Sequence, residues 1–334
     1  MKWCVIADFF KSENVTWLDD FIDDPRLTFQ KVVPAGDESS WHTEATMTTG
    51  FAKWARHFRH ARRAFSRHPD GIVTCFPQLA MSVGLLKRLG FRKMPVVAHN
   101  FNIGSLTPGL KQWFARVAAS GIDEFIVHSP SEVDPYAVYL DVPKDRIRFI
   151  PLQRPEFSIL REEDTEAPYI LAMGSAHRDY ATMIAALEPL GLRTIIVTRR
   201  DIIADLPEHD WIEYRHGLSF EDCLGLMAKA RLSVTPLSNL KTASGQVTFI
   251  NAMRIGVPVV ATCCPGTDGY VTDGETGLLA RPFDVEDMRA KITRLWTDED
   301  LRAKLVENSK TVAAETFSDE AAAKKLEEIL IRYL

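Results

Sequence analysis

From end to end the chain alternates short apolar runs of strand-like composition with longer stretches of helical period, and that order limits the fold more than any other feature. In the first half, strands are expected over Trp3–Ala7, Gly71–Phe76, Pro95–Ala98, Glu124–Val127 and Ile147–Ile150, with helices over Leu79–Leu89 and Leu110–Ala119. The second half repeats the pattern, with strands over Tyr169–Met173, Thr194–Thr198, Trp211–Tyr214, Leu232–Pro236 and Pro258–Thr262. Phe220–Ala230 and Val247–Ile255 are among the helices between them. Strands joined through helices pair in parallel, and parallel sheets need helices on their faces. A chain of 334 residues is long for one core and comfortable for two.

The α/β expectation is therefore two Rossmann-like domains. Pro151–Phe157 and the acidic run Arg161–Glu166 carry no apolar period, which places a hinge there. The expected boundaries are 1–152, 153–318 and a closing helix over 319–334. That helix has Ser318 as candidate N-cap and Ala322, Leu326, Ile329, Leu330 and Leu334 at helical spacing, and it is expected to cross back to the first domain. Ligands of open parallel sheets bind beyond the carboxyl ends of the strands, so two such domains facing each other would place function in a cleft.

Composition removes several classes. No apolar run reaches the roughly 18 residues of a membrane span, and the first residues turn acidic too soon for a signal peptide, so a cytoplasmic protein is expected. The five cysteines, odd in number and without metal-ligand spacing, read as reduced, buried small residues. Basic residues number 40 against 45 acidic. The first 150 residues reverse that balance, with 19 basic and 16 acidic. No nucleic-acid recognition module accompanies them, and nucleic acid is not an expected partner. The excess is concentrated in Phe51–His68, a basic amphipathic stretch with Trp54, Phe58, Ala61 and Phe65 along one face. It reads either as a core-packed helix with a solvated basic face or as one that rests on anionic lipid at the inner face of a membrane.

The most informative segment is Leu232–Ala280. A buried strand ends near Pro236, a polar loop follows, and Ser244-Gly245-Gln246 opens a helix. A helix start offers free N–H groups and a positive dipole end; glycine lets an anion approach the backbone, and Ser244 is a candidate cap. The stretch Ala252–Thr262 followed by Asp273-Gly274-Glu275-Thr276-Gly277-Leu278-Leu279 resembles the C-terminal signature of the retaining family-four glycosyltransferases. The likeness is good from Pro168 onward and only in outline before it. It implies the GT-B fold, a nucleotide-sugar donor (UDP-sugar favoured over GDP-sugar), retention, and a carbohydrate or lipid-linked acceptor. Neither a cofactor nor a metal is implied, and no Asp-x-Asp motif is present. Where the family carries two glutamates eight positions apart, this chain has Ala243 and Asn251.

With that carboxylate pair missing, the donor is expected instead at Ser244, Gly245, Gln246, Val247 and Thr248, with Gln246 nearest the sugar or phosphate and Asn251 able to bind a ribose hydroxyl. The resemblance adds the glycine-plus-basic loop after the first strand of the second domain, with Gly174, Ser175, His177 and, as the diphosphate cation, Arg178. Arg199 and Arg200 are secondary candidates, and Tyr214–Gly217, with His216, falls where the base would sit. In the first half, His99 at a strand end matches an active-site histidine of the family, with Asn100 and Asn102 beside it. The first-strand loop lacks the usual paired glycines but offers Asp8 as a candidate base. Two alternatives stand beside the transferase: an epimerase or hydrolase of nucleotide sugars on the same fold, and a non-catalytic binding or scaffold protein.

Overall fold

The computed structural model describes residues 1–34, 50–90 and 92–334. The chain forms two compact units: Met1–Ile150 together with Ala322–Leu334, and Pro151–Ala321.

The first unit runs β1 (Lys2–Ile6), β2 (Thr28–Val32), α1 (Phe51–Phe65), β3 (Gly71–Cys75), α2 (Pro77–Leu89), β4 (Val96–His99), α3 (Leu110–Ala119), β5 (Glu124–Val127), α4 (Val133–Leu140) and β6 (Ile147–Phe149). Its sheet has the order β2-β1-β3-β4-β5-β6 with every pair parallel. The two-residue period of a strand decides which residue meets which layer. Cys4 and Ile6 point into one core with Ile72, Val96, Ala98, Phe125 and residues of α1 to α4. Trp3, Val5 and Ala7 point into the other with Val73, Val97 and Ile126. That second core is closed by Ala322, Ala323, Leu326, Ile329 and Leu330 of the C-terminal helix α11 (Asp319–Leu330). Both faces are covered, which is why these strands read as unbroken apolar runs. Helices α2 and α3 lie very close: a Cβ on Gly84 would sit 2.3 Å from the Ala118 carbonyl, and one on Gly121 would sit 2.1 Å from that of Gly84.

The second unit runs β7 (Ile170–Met173), α5 (Tyr180–Leu187), β8 (Thr194–Val197), α6 (Arg200–Ile203), β9 (Ile212–Arg215), α7 (Phe220–Lys229), β10 (Leu232–Thr235), α8 (Gln246–Ile255), β11 (Val259–Thr262), β12 (Leu278–Ala280), α9 (Val285–Thr297) and α10 (Glu299–Thr316). The order β12-β11-β10-β7-β8-β9 is again wholly parallel. Counted within the unit this is the doubly wound order, and its direction reverses between β7 and β10. The loops leaving those two strands therefore diverge and open a crevice at their carboxyl ends, the place such sheets reserve for ligands.

α11 (Asp319–Leu330) is capped by Ser318, whose Oγ accepts the Ala321 N–H at 3.1 Å. β2 and β12 were not expected: Thr-Phe-Gln-Lys-Val is a mixed edge strand, and β12 has only three residues. The cysteines are free, but Cys263 is exposed and Cys223 half-buried, so the expectation of five buried thiols fails at those two. Among the described residues no helix is long and apolar enough to cross a membrane.

Candidate functional site

In the second unit the switch-point crevice gathers two separate pieces of sequence. After β7 the chain turns at Gly174, at φ +114°, where a Cβ would stand 2.2 Å from Nη2 of Arg178. The turn folds the Arg178 side chain back over it. Nε donates to the Met173 carbonyl at 2.9 Å, Nη1 to that of Ala176 at 2.8 Å, and Nη2 to Oγ1 of Thr248 at 3.0 Å. Thr248 is in the first turn of α8, so Arg178 ties the β7 loop to the start of the helix that follows β10. A backbone bridge between Arg178 and Leu237, and a Ser238 N–H bond to the His177 carbonyl at 3.0 Å, fix the two loops together.

The charge on this arginine is unusual. All three of its acceptors are neutral, and among the described residues no carboxylate faces it. Burial pushes its pKa down from the ordinary guanidinium range. The neighbouring Asp179 does not pair with it: its carboxylate accepts the Thr182 N–H and caps α5. A half-buried cation without an anion costs free energy, and an anionic ligand would offset that cost.

The start of α8 presents the complementary surface. Its N-cap is Gly245, at φ +90°, and no side chain caps it. Ser244, read from sequence as the cap, does not act as one; its Oγ is buried and has no hydrogen-bond partner among the described residues. The loop after β11 closes from behind, since a Cβ on Gly266 would stand 2.1 Å from the Ser244 carbonyl. Gln246 and Thr248 are buried and Val247 is half-exposed. The sequence-derived donor residues Gly174, Arg178, Ser244, Gly245 and Thr248 thus meet in one place, with an orphaned hydroxyl, a helix dipole and an uncompensated cation.

The remaining candidates of this unit divide. Ser175 Oγ lies 3.1 Å from Oγ1 of Thr198 and accepts the Arg199 N–H at 3.2 Å, so it joins the ends of β7 and β8. His177 is exposed, at φ +55°. Arg199 points to solvent, paired with Asp201 at 2.7 Å, and Arg200 is exposed as well. His216 is exposed beyond β9. Asn251 is occupied, its Oδ1 accepting from Nε of Arg154 at 3.0 Å, while Ala243 is nearly buried. Arg154 was missed from sequence because it lies in the stretch taken as linker; its guanidinium also stacks over Phe220.

Gly174→Ala tests the construction. The added methyl meets the guanidinium and the positive φ at once, so Arg178 must leave its three acceptors. The expected outcome is a nucleotide-binding defect as deep as that of Arg178 variants, with a folded circular-dichroism spectrum.

In the first unit, Asp8 follows β1 at the point where that sheet's order reverses. Its Oδ2 is 3.2 Å from Nδ1 of His57, and its Oδ1 is 3.4 Å from Nδ1 of His60. Burial works to raise this carboxyl, but the two histidine bonds outweigh it and hold the pKa down at about 2. Asp8 is therefore a weak base and a strong orienter of imidazole. His57 and His60 went unnoticed in the sequence because nothing but the fold brings α1 to the end of β1.

His99 is wholly buried at the end of β4, edge-on to Trp17 and His128, with the Asn100 side chain beside it. Burial, with His128 beside it, lowers its pKa to about 3. His128 ends the neighbouring β5; its Nδ1 is 2.7 Å from the Ile150 carbonyl, its Nε2 touches the Asn100 amide, and burial lowers it to about 4. Asn102 uses its side-chain oxygen to accept the Gly104 N–H at 2.8 Å, which holds its own loop. His99 and Asn102 are thus engaged in packing and loop closure.

Comparison with known proteins adds a family segment and a fold. The chain is 30% identical over 142 residues, 42% of its length, to the MMP alpha-(1->4)-mannosyltransferase of Mycolicibacterium hassiacum, where the match covers 32% of the relative. It is 35% identical over 99 residues, 30% of its length, to an uncharacterized glycosyltransferase of Methanocaldococcus jannaschii, covering 27% of that protein. The matches thus span a third or less of each curated relative. HepE of Anabaena, whose structure holds UDP-glucose, superposes with a TM-score of 0.72 over 99% of both chains at 16% identity, a likeness of fold alone. The two parallel-sheet, Rossmann-like units are those of the GT-B fold, and residues 210–312, from β9 into α10 and including the start of α8, match the family described as glycosyl transferases group 1.

Proposed function

We propose that this protein is a glycosyltransferase that holds the diphosphate of a nucleotide-sugar donor between Arg178 and the amino end of α8. The observation that carries the reading is Arg178 itself: a half-buried cation facing neutral acceptors only, tied to the first turn of an uncapped helix at the switch point of its sheet. HepE bound to UDP-glucose supports a nucleotide-sugar donor, with a UDP-sugar the first to try, and the mannosyltransferase of Mycolicibacterium hassiacum supports sugar transfer.

In the proposed reaction the bond between the anomeric carbon and the diphosphate oxygen breaks, and its electron pair leaves on that oxygen. The acceptor hydroxyl oxygen bonds to the anomeric carbon, and its proton passes to the departing phosphate. Negative charge grows on the diphosphate, where the fixed guanidinium and helix dipole stabilise it without having to reorganise. Retention, with the departing phosphate as base, is the course that the resemblance to the retaining family-four enzymes implies. This charge complement leaves no demand for a metal. Ala243 and Asn251, in place of the family's glutamates, favour one second reading, a protein that binds the nucleotide sugar without turning it over.

A thermal-shift screen with UDP-, GDP- and ADP-sugars, repeated in excess chelator, tests the proposal. One nucleotide class is expected to raise the melting temperature by several degrees at saturation, with or without chelator. Donor cleavage in the presence of an acceptor then separates transfer from binding. No shift with any of the three would overturn the donor assignment.

A further inference from the structure

The first unit holds a cavity of about 630 Å³ that the donor chemistry does not use. Its wall is Phe51, Trp54 and Phe58 of α1, Met81 of α2, Phe114 of α3 and Ile103 of the loop after β4. The geometry follows from the helix packing. Gly84, Ala118 and Gly121 bring α2 and α3 into contact, and the cavity lies toward the other ends of those helices, beside their first turns. It therefore sits at the carboxyl ends of β3 and β4, where a parallel sheet binds ligands. A volume of this size suits a small-molecule ligand; most of its wall is apolar and five of the lining residues, Tyr139 included, are aromatic, with Gln78, Ser105, Thr107 and Lys111 as its polar part, so it suits a hydrocarbon chain with a polar end better than a sugar alone.

The surroundings are cationic. Helices α1, α2 and α3 contain nine lysines and arginines and no aspartate or glutamate; those nearest the cavity are on the first turns of α1 and α3, whereas Lys87, in the last turn of α2, is paired with Asp123. Lys111 lines the cavity and has no ion pair among the described residues. Neither α2 nor α3 has its amino end capped by a side chain, so both dipoles present a positive end there. Phe51 and Leu110, at the rim, are 91% and 87% exposed. Apolar walls inside a positive rim match one chemistry: a hydrocarbon chain carrying an anionic head group.

We propose that this cavity receives the hydrocarbon chain of an anionic, phosphate-bearing lipid-type acceptor, with the head group against Lys111 and the cationic face of α1. Its designation as an acceptor site rests on the transferase reading; the binding of the amphiphile does not.

Isothermal titration of the intact protein with decyl and dodecyl phosphate, below micelle-forming concentrations, tests this, with dodecyl glucoside and inorganic phosphate as comparators. Each added methylene should improve affinity roughly fourfold while the chain is being buried. Dodecyl phosphate is expected to bind one-to-one, about tenfold or more tighter than either comparator. Ser105→Trp, at an exposed position on the rim, should weaken it about tenfold with the melting temperature unchanged. Lys111→Glu should erase the preference for phosphate over glucoside. Undiminished binding by Ser105→Trp, parity between inorganic and dodecyl phosphate, or no binding would each overturn the proposal. The UDP-glucose thermal shift of Ser105→Trp reports separately on the donor site, so failure of one reading is distinguishable from failure of the other.

Discussion

Arg178→Gln is expected to weaken binding of the cognate nucleoside diphosphate about 100-fold, the scale of removing one buried charged hydrogen-bond donor from an anion. Glutamine keeps some polar reach but loses the charge and the planar fork. Arg178→Lys keeps the charge and loses the fork, so an intermediate loss is expected. Both variants strip partners from the Met173 and Ala176 carbonyls, which lowers stability by about 1–3 kcal/mol. Binding should therefore be measured calorimetrically, well below the melting transition. A variant that binds the nucleotide as the wild type does would show that the diphosphate lies elsewhere.

The second large effect is on stability against pH and arises from His99 and His128. Both are held neutral in the folded state, at about 3 and 4, against roughly 6.5 in an unfolded chain. Below about pH 6.5 the unfolded chain takes up protons that the folded one refuses, so stability falls as pH drops toward 4. Each histidine contributes about 1.4 kcal/mol per pH unit inside that window. Asp19, raised to about 6 by burial, titrates there with the opposite sign. Asp8 is depressed, and its contribution is present above about pH 4 and lost as pH falls toward 2. His99→Phe isolates the first term, because a third ring fills the space between Trp17 and His128 without titrating. Urea denaturation between pH 7 and 4.5 should show a slope shallower than wild type by about 1.4 kcal/mol per pH unit. Equal slopes would mean that His99 is protonated in the folded state.

Much of this architecture was legible as pattern. The apolar runs around Val73, Val97, Ile126, Ala172 and Val234 are strands because both sheet faces are covered, and continuous apolar composition is what that demands. β2 escaped because an edge strand keeps polar residues such as Gln30 and Lys31, and β12 because three residues are too few for a period. The donor segments at Gly174–Arg178 and Ser244–Thr248 were legible singly. Their meeting depends on β7 and β10 being neighbours, which is a matter of topology.

Side-chain partnerships lay beyond the sequence. Nothing local tells that Asn251 will be taken by Arg154, that Gly245 and not Ser244 is the N-cap of α8, or that Asp8 will face two histidines of α1. A histidine at a strand end reads as accessible chemistry, yet Trp17 covers His99 and leaves it no exposed surface. His128 at the end of β5 repeats the same local pattern and could have been singled out with it.

The central claim is that the second unit recognises a diphosphate through Arg178 and the start of α8. Calorimetric titration with UDP, GDP and ADP, each against its own nucleoside, tests it most directly. One diphosphate is expected to bind about 100-fold or more tighter than its nucleoside, and Arg178→Gln to remove most of that gap. Equal affinities for diphosphate and nucleoside, or a gap that Arg178→Gln leaves intact, would contradict it.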